Sequence, residues 1–353
     1  MPSQCDQVKQ EYEKIKSLRQ EFDLEYDKYN KAININENKS KKAGEALEKV
    51  KKLKTEIETR IISLQEKLWP FEALPQKELK KQYEEQINVY RELCLLKTLS
   101  DGKEGIKDEE GNKYVVPLFE EICKRIRKNK DFREKTEQGL VKLRLTPFAL
   151  SIDELVKAYG ELIKRKYKEG NLKGEDNELL ELDKATPVYV NENFKNLFYF
   201  PEWETKDEKA IASKGISKKE AIKQIGGWRI TFDEGLSIVP EKGQAKTTKG
   251  RTSIEGGMLA SEQFQLIKKQ KEECWTPEDW LAFAISYLSK ENKVIGDDRG
   301  TVYLERLLGV CFSASGHVPR AYWDRVNRRA GLGGYDSGDS YSDVGVRSGV
   351  GGF

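Results

Sequence analysis

The sequence contains few of the residues that metal sites and disulfide frameworks require. Only one histidine, His317, occurs in 353 residues, so a histidine-based metal site is not expected. The cysteines are odd in number, lie far apart and show no CxxC spacing. This predicts buried or incidental thiols rather than disulfides or a zinc site. The five cysteines are Cys5, Cys94, Cys123, Cys274 and Cys311.

Long apolar runs and an excess of one charge are missing as well. No apolar run approaches the roughly 20 residues of a membrane-spanning helix, and the polar residues 1–10 lack the apolar segment of a signal peptide. The 63 basic residues are balanced by 60 acidic ones, which argues against nucleic-acid binding through bulk charge. We therefore expect no membrane insertion and no nucleic-acid partner. The cytoplasm is the default compartment, and association with a surface is left open.

The first 75 residues carry the periodicity of two amphipathic helices. Within 6–68, apolar residues recur at three- and four-residue steps on either side of the turn-forming run 34–40. This spacing predicts a helical hairpin or coiled coil over residues 1–75. Its second helix is expected to end at Trp69-Pro70, because proline disfavours the helical conformation of the residue before it. We expect a scaffold, or a surface through which copies of the chain form a homo-oligomer, and no catalytic role.

Residues 76–174 are predicted to be mainly helical, with one small hairpin near 105–116. A capping box at Ser151-Ile152-Asp153-Glu154 marks the start of the last helix. The glycine-punctuated stretch 168–176 predicts a linker after it. The three helices of this region are expected at 78–98, 118–139 and 152–169.

Residues 186–353 differ in character, because short β-type runs replace the long helical patterns. The stretch 241–257, rich in glycine, lysine and threonine, predicts a long exposed loop. Thr276-Pro277 predicts the start of a helix, with a threonine cap and a proline in the first turn. Strands are expected at 188–190, 197–200 and 228–232, and helices at 218–225, 276–292 and 302–308, before an irregular tail.

The tail is unusual in what it omits. Residues 306–353 contain no Lys, Glu, Gln or Met and a single Trp, Trp323, whereas the preceding stretch 258–305 contains all five types. These are the amino acids that no codon ending in a pyrimidine encodes. A segment diversified at the adenines of AAC or AAT codons would obey that restriction and would never reach a stop codon. A flexible glycine-rich tail would also avoid Lys and Glu, so composition leaves both interpretations open.

Aromatic residues indicate that the tail folds. Disordered segments are poor in aromatics, whereas Tyr322, Trp323 and Tyr341 are spaced to pack. Three runs of the tail are Gly316-His317-Val318-Pro319-Arg320-Ala321-Tyr322-Trp323-Asp324-Arg325, Arg329-Ala330 and Tyr341-Ser342-Asp343-Val344-Gly345-Val346-Arg347. Upstream runs are LTPFAL at 145–150, LFYFP at 197–201 and WTPEDWL at 275–281. Together these motifs resemble the variable proteins of diversity-generating retroelements over roughly residues 140–353.

The resemblance implies an α+β chain whose last part is a C-type-lectin-like domain of the kind shared with formylglycine-generating enzymes. That fold has a small, twisted antiparallel sheet and two helices, for which 218–225 and 276–292 are the candidates. The resemblance does not explain the helical N-terminus, which is predicted from its periodicity. The expected organisation is therefore a helical hairpin or coiled coil, a mainly helical region and the lectin-like domain, with the variable region at about 313–353. Their ranges are 1–75, 76–174 and 186–353.

The function implied by the resemblance is ligand binding by hypervariable residues, without catalysis, cofactor or metal. The ligand is expected to be a protein or another surface ligand, with a protein preferred. Alternating strand positions would anchor the core and carry the variable residues, because neighbours in a strand point to opposite faces. The expected scaffold residues are Trp323, Leu332, Val344, Gly345 and Arg347. The expected ligand-binding residues are Tyr322, Asp324, Val326, Asn327, Arg329, Gly331, Gly333, Tyr335, Asp336, Gly338, Asp339 and Tyr341.

Two other function classes stay open. An enzyme on a formylglycine-generating-enzyme-like fold would need a catalytic dyad, and neither Cys274 nor Cys311 lies in a context that favours a thiolate. A coiled-coil structural protein with an inert tail would lack a folded tail. Calcium bound by Asp297-Asp298 and the tail aspartates is a further alternative, although adjacent aspartates commonly form a solvated turn.

Overall fold

Helices dominate the first part of the chain and short strands the last, which gives an α+β structure. A computed structural model describes residues 4–34, 39–206, 209–236, 238–297, 304–313, 317–335 and 344–351. The chain divides into two units, Met1–Gln76 and Lys77–Phe353. Within the described ranges, no helix is both long and apolar enough to cross a membrane.

The first unit is built on two long helices, α1 (Gln4–Asn34) and α2 (Lys39–Lys67), which pack along each other. Ala46, Val50 and Leu53 of α2 are buried, as expected for the apolar stripe of an amphipathic helix. The N-terminal helices predicted from the sequence are therefore confirmed. The centre of the predicted turn, residues 35–38, lies outside the described residues.

The second unit contains the remaining elements. Its α-helices are α3 (Gln76–Glu92), α4 (Phe119–Lys128), α5 (Phe132–Glu137), α6 (Ile152–Lys168), α7 (Lys218–Ile225), α8 (Ala260–Lys269) and α9 (Pro277–Glu291), with a short 3-10 helix at Glu192–Lys195. Its first strands are β1 (Lys97–Thr98), β2 (Glu104–Lys107), β3 (Lys113–Val115), β4 (Lys142–Thr146), β5 (Val188–Val190), β6 (Leu197–Tyr199), β7 (Glu202–Lys206), β8 (Lys209–Ser213) and β9 (Arg229–Asp233). The later strands are β10 (Thr247–Thr248), β11 (Arg251–Thr252), β12 (Glu273–Cys274), β13 (Leu304–Arg306), β14 (Val310–Phe312), β15 (Val318–Asp324), β16 (Arg329–Tyr335), β17 (Val344–Val346) and β18 (Ser348–Gly349).

Three parts of the second unit differ from the sequence-based expectation. The prediction of a helix at 302–308 is wrong, because β13 pairs with β15 on one side and with β17 on the other. This pairing outweighs the local helical propensity. The loop expected at 241–257 contains the β10–β11 hairpin and turns inward at Arg251, which pairs with the buried Glu272. The helix expected at 118–139 is two helices, α4 and α5.

The division expected between 174 and 186 does not separate two units. β4, from the region expected to be mainly helical, pairs with β9 over its whole length. Arg144 of β4 also donates to Asp233 of β9 at 2.6 Å in a buried ion pair. The stretch after α6 is also bound to the segment after α9. The Lys173 N–H donates to the Asn292 carbonyl, and the Val294 N–H donates to the Lys173 carbonyl. The described residues after Gln76 therefore belong to one compact unit.

The largest sheet has five strands in the order β17-β13-β15-β16-β5. The inner pairs β13–β15 and β15–β16 are antiparallel, whereas the outer pairs β13–β17 and β16–β5 are parallel. The sheet is therefore mixed, whereas the family resemblance implies an antiparallel sheet. The β15–β16 hairpin lies at its centre, so both of its strands have neighbours on each side.

Asp279, in the first turn of α9, joins three elements. Its carboxylate completes the helix cap with Thr276, accepts a hydrogen bond from Thr146 of β4 at 2.7 Å and pairs with Arg229 of β9. Asp279 is 1% exposed, so its charge is stabilised by these partners rather than by water. The segment from Thr276 to Asp279 therefore connects α9 to β4 and β9.

We expect Asp279→Ala to destabilise the protein by about 3–5 kcal/mol, because the buried Arg229 would lose one of its carboxylate partners. Glu161→Ala is the control, since Glu161 pairs with Lys164 on an exposed surface of α6 and should contribute below about 1 kcal/mol. Urea unfolding of both variants measures the difference. Equal midpoints for the two variants would contradict the role assigned to Asp279.

Candidate ligand-binding face

The β15–β16 hairpin sets the geometry of the candidate site. Its register pairs Tyr322 with Gly331, Trp323 with Ala330 and Asp324 with Arg329. Residues that pair directly across two strands have side chains on the same face, and their neighbours along each strand point the other way. From Arg320 to Asp324, the hairpin therefore has two chemically distinct faces.

The inner face is apolar and buried. Ala321, Trp323, Ala330 and Leu332 are each no more than 1% exposed. Trp323 and Leu332 were expected as scaffold residues, and the structure places both in the core. The other expected scaffold residues, Val344, Gly345 and Arg347, are buried too, and Arg347 forms a two-point ion pair with Glu305 of β13.

The outer face holds five of the expected ligand-binding residues: Tyr322, Asp324, Arg329, Gly331 and Gly333. The Tyr322 ring leans over Gly331, with its nearest atom 2.7 Å from where a Cβ of residue 331 would lie. Arg320 lies beside Gly333, and its guanidinium lies 5.0 Å from the centre of the Tyr322 ring. Side chains from β15 therefore cover the glycines of β16.

Tyr189 belongs to the same face, although sequence reasoning did not include it. β5 runs parallel to β16, and Tyr189 pairs in register with Gly331. Tyr189 is 38% exposed, and the Arg329 guanidinium lies 4.9 Å from the centre of its ring. Gly331 is thus flanked in register by two tyrosines. The alternating run Val188-Tyr189-Val190 was the available signal, but it does not reveal which strand β5 joins.

The hairpin turn is held by its own side chains and by the neighbouring loops. Val326 and Asn327 are exposed there, and Asn327 donates its backbone and side-chain N–H groups to the Asp324 carboxylate at 2.8 and 2.7 Å. Arg325 pairs with Asp297 through two hydrogen bonds and with Asp176 at 2.8 Å. The hydrogen bonds to Asp297 are the main reason that the pKa of Arg325 is raised.

These ion pairs bear on the calcium alternative. The Asp297 side chain is 1% exposed and its carboxylate is bound by Arg325, so the arginine occupies the oxygen atoms that a cation would need. Asp298 lies outside the described residues. Over the described ranges, no group of three or more His, Cys, Asp or Glu side chains is arranged to hold a metal ion.

Part of the expected face lies outside the described residues. Asp336, Gly338, Asp339 and Tyr341 lie outside the described residues, and so does the side chain of Tyr335, whose backbone ends β16. Val326 and Asn327 lie at the turn rather than on the strands. The structure therefore brings five of the twelve expected residues together on one face and two at its end.

Cys274 and Cys311 are thiols at neutral pH. Burial raises the pKa of Cys274 to about 12 and that of Cys311 to about 11. Cys123 is also buried and Cys94 is exposed. Because the thiolate is the nucleophilic form, Cys274 and Cys311 are poorly suited to the cysteine chemistry of the enzyme alternative.

Comparison of the chain with protein-family models, curated proteins and solved structures finds no match. The resemblance to retroelement variable proteins therefore rests on the sequence motifs, and the C-type-lectin fold stays a prediction.

The two faces of the hairpin should respond differently to substitution. We expect Trp323→Ala to cost about 3–5 kcal/mol, because it removes a fully buried ring. Gly331→Ala should cost less than about 1 kcal/mol, because the atom in its way is the far end of a side chain that can rotate. Thermal unfolding of the two variants measures this contrast. A Gly331→Ala protein as unstable as Trp323→Ala would show that the outer face is also part of the core.

Proposed function

We propose that this protein is a ligand-binding protein whose β15–β16 hairpin carries retroelement-diversified residues on a C-type-lectin-like scaffold. The observation that carries the proposal is the division of the hairpin into two faces. The positions expected to vary on the strands lie on the outer face, and Trp323 and Leu332, which are expected to be fixed, are buried on the inner face. A sequence could then change on one face while the opposite face preserves the fold.

The chemistry of the outer face supports binding to a protein ligand. Tyr322 and Tyr189 offer large amphipathic rings with few rotatable bonds, and arginines lie against both rings. Tyrosine and arginine are enriched among the residues that dominate interface energies. The inner strands β15 and β16 hold Tyr322 and Arg329 with little freedom, which reduces the entropy lost when a ligand binds.

The gene that encodes the chain provides the test. We expect a reverse-transcriptase gene near it, together with a second copy of the codons for 306–353. Differences between the copies should fall at adenines and should include codons for outer-face residues such as Tyr322, Asp324 and Gly331. The codons for Trp323 and Leu332 should be the same in both copies.

Sequencing the locus decides this prediction. A second copy whose differences fall equally on codons for the inner and outer faces would contradict the proposal, and so would a locus without any second copy.

We also propose that the first unit joins copies of the chain into a homo-oligomer. Four large apolar residues of α1 are exposed: Tyr12, Leu24, Tyr26 and Ile33. An amphipathic helix gains stability when such residues are covered. Sedimentation of the whole chain and of a Leu24→Glu, Ile33→Glu variant tests this. We expect the variant to sediment with the lower mass. If the unaltered chain and the variant both sediment as monomers, the proposal is contradicted.

A further inference from the structure

A cavity of about 750 Å³ lies in the second unit, formed by the β2–β3 loop, the start of α6, β6 and α7. This volume is within the range of small-molecule sites in proteins. Apolar residues contribute to its walls, among them Leu150, Ile152, Phe194 and Leu197. The outer-face residues of the hairpin do not line it, so it is a different site from the proposed ligand-binding face.

Three chemically active side chains meet in this cavity: Lys218, Glu278 and Tyr199. Lys218, at the first position of α7, pairs with the Oε1 atom of Glu278. Tyr199 of β6 donates its hydroxyl to the same oxygen at 2.7 Å. The Lys218 ammonium lies 4.1 Å from the centre of the Phe148 ring and 5.0 Å from that of Tyr199.

A purely structural ion pair would leave this arrangement incompletely explained. Glu278 is fully buried, and its Oε2 atom makes no hydrogen bond to any described residue. Such an unsatisfied acceptor is costly in a protein interior. The Lys218 side chain, by contrast, remains 27% exposed and lines the cavity.

The surroundings also favour the reactive form of this amine. Burial lowers the pKa of Lys218, although Glu278, Asp279 and Glu109 act in the opposite direction. Burial likewise keeps the pKa of Tyr199 well above its usual value, so its hydroxyl stays protonated. A lysine next to a carboxylate and a phenol in a partly apolar cavity is the arrangement needed for nucleophilic attack on a carbonyl group.

We propose that this cavity binds a small aldehyde and that Lys218 captures it as an imine, with Glu278 transferring the proton. Glu278 removes a proton from the ammonium, and the free amine attacks the carbonyl carbon to form a carbon–nitrogen bond. A proton moves from nitrogen to the former carbonyl oxygen. Glu278 then returns its proton to that hydroxyl, which leaves as water while the protonated carbon–nitrogen double bond forms. Atoms and charge balance without an oxidant or reductant.

The charges around the cavity select among aldehydes. Five carboxylates other than Glu278 line it, against three lysines other than Lys218. The five are Asp108, Glu109, Glu110, Asp153 and Glu192. Because like charges repel in a partly enclosed site, neutral aldehydes should enter more readily than anionic ones.

The test uses the full chain, benzaldehyde and sodium cyanoborohydride, which reduces the imine to a stable benzylamine, at pH 7. Peptide mass spectrometry then gives the rate of labelling at Lys218 and at Lys269, an exposed lysine of α8 that does not line the cavity. Lys218 should react faster, because its lowered pKa leaves more free amine at pH 7 and the cavity holds the aldehyde beside it. Its rate should also saturate as benzaldehyde increases, whereas that of Lys269 should stay proportional.

Variants and a second aldehyde sharpen the result. Lys218→Arg should remove the fast adduct, and Lys269→Arg, at an exposed lysine that does not line the cavity, should leave it unchanged. 4-Carboxybenzaldehyde should label Lys218 more slowly than benzaldehyde does, relative to Lys269. The proposal is overturned if Lys218 in the unaltered chain reacts no faster than Lys269, or if its rate shows no saturation. Neither outcome depends on the ligand-binding face or on a variant that has to fold.

Discussion

Backbone pairing at the centre of the five-stranded sheet is the constraint on which the candidate face depends. Both strands of the β15–β16 hairpin have partners on each side, β13 next to β15 and β5 next to β16. The main chain is therefore fixed by hydrogen bonds that do not depend on side-chain identity. Trp323 and Leu332 secure the hairpin from the inner side, so the outer residues are not needed to hold its strands in place.

The rest of the second unit supports this hairpin through buried charges. Arg325 ties the turn to Asp297 and Asp176, and Arg347 ties β17 to Glu305 of β13. Asp279 joins α9 to β4 and β9. Buried ion pairs of this kind are strongly destabilising to break, even where their net contribution to stability is small. They fix the position of the sheet that carries the candidate face.

Local signals in the sequence predicted several elements well. α7 begins and ends where expected, because a capping box at Ser217 and Glu220 starts it and Gly226, with φ of 82°, stops it. Because side chains alternate along a strand, Trp323 was predicted to face the core and its neighbours Tyr322 and Asp324 the opposite side. Each of these features depends on residues that are close together in the sequence.

Features that depend on distant residues were not predictable in the same way. β13 has helix-forming residues, and only its pairing with β15 and β17 makes it a strand. Tyr189 joins the outer face because β5 adds to β16, more than 140 positions later in the chain. Lys218, Glu278 and Tyr199 likewise meet from three separate elements. A single sequence does not show which of its strands become neighbours.

Selection from a library tests the central claim most directly. The full chain would be displayed with residues 322, 324, 329, 331 and 333 randomised together and then selected for binding to a folded protein ligand. The account predicts folded binders whose affinity is lost when those five positions are restored. A library that yields no folded chains, or binders whose affinity survives that restoration, would contradict it.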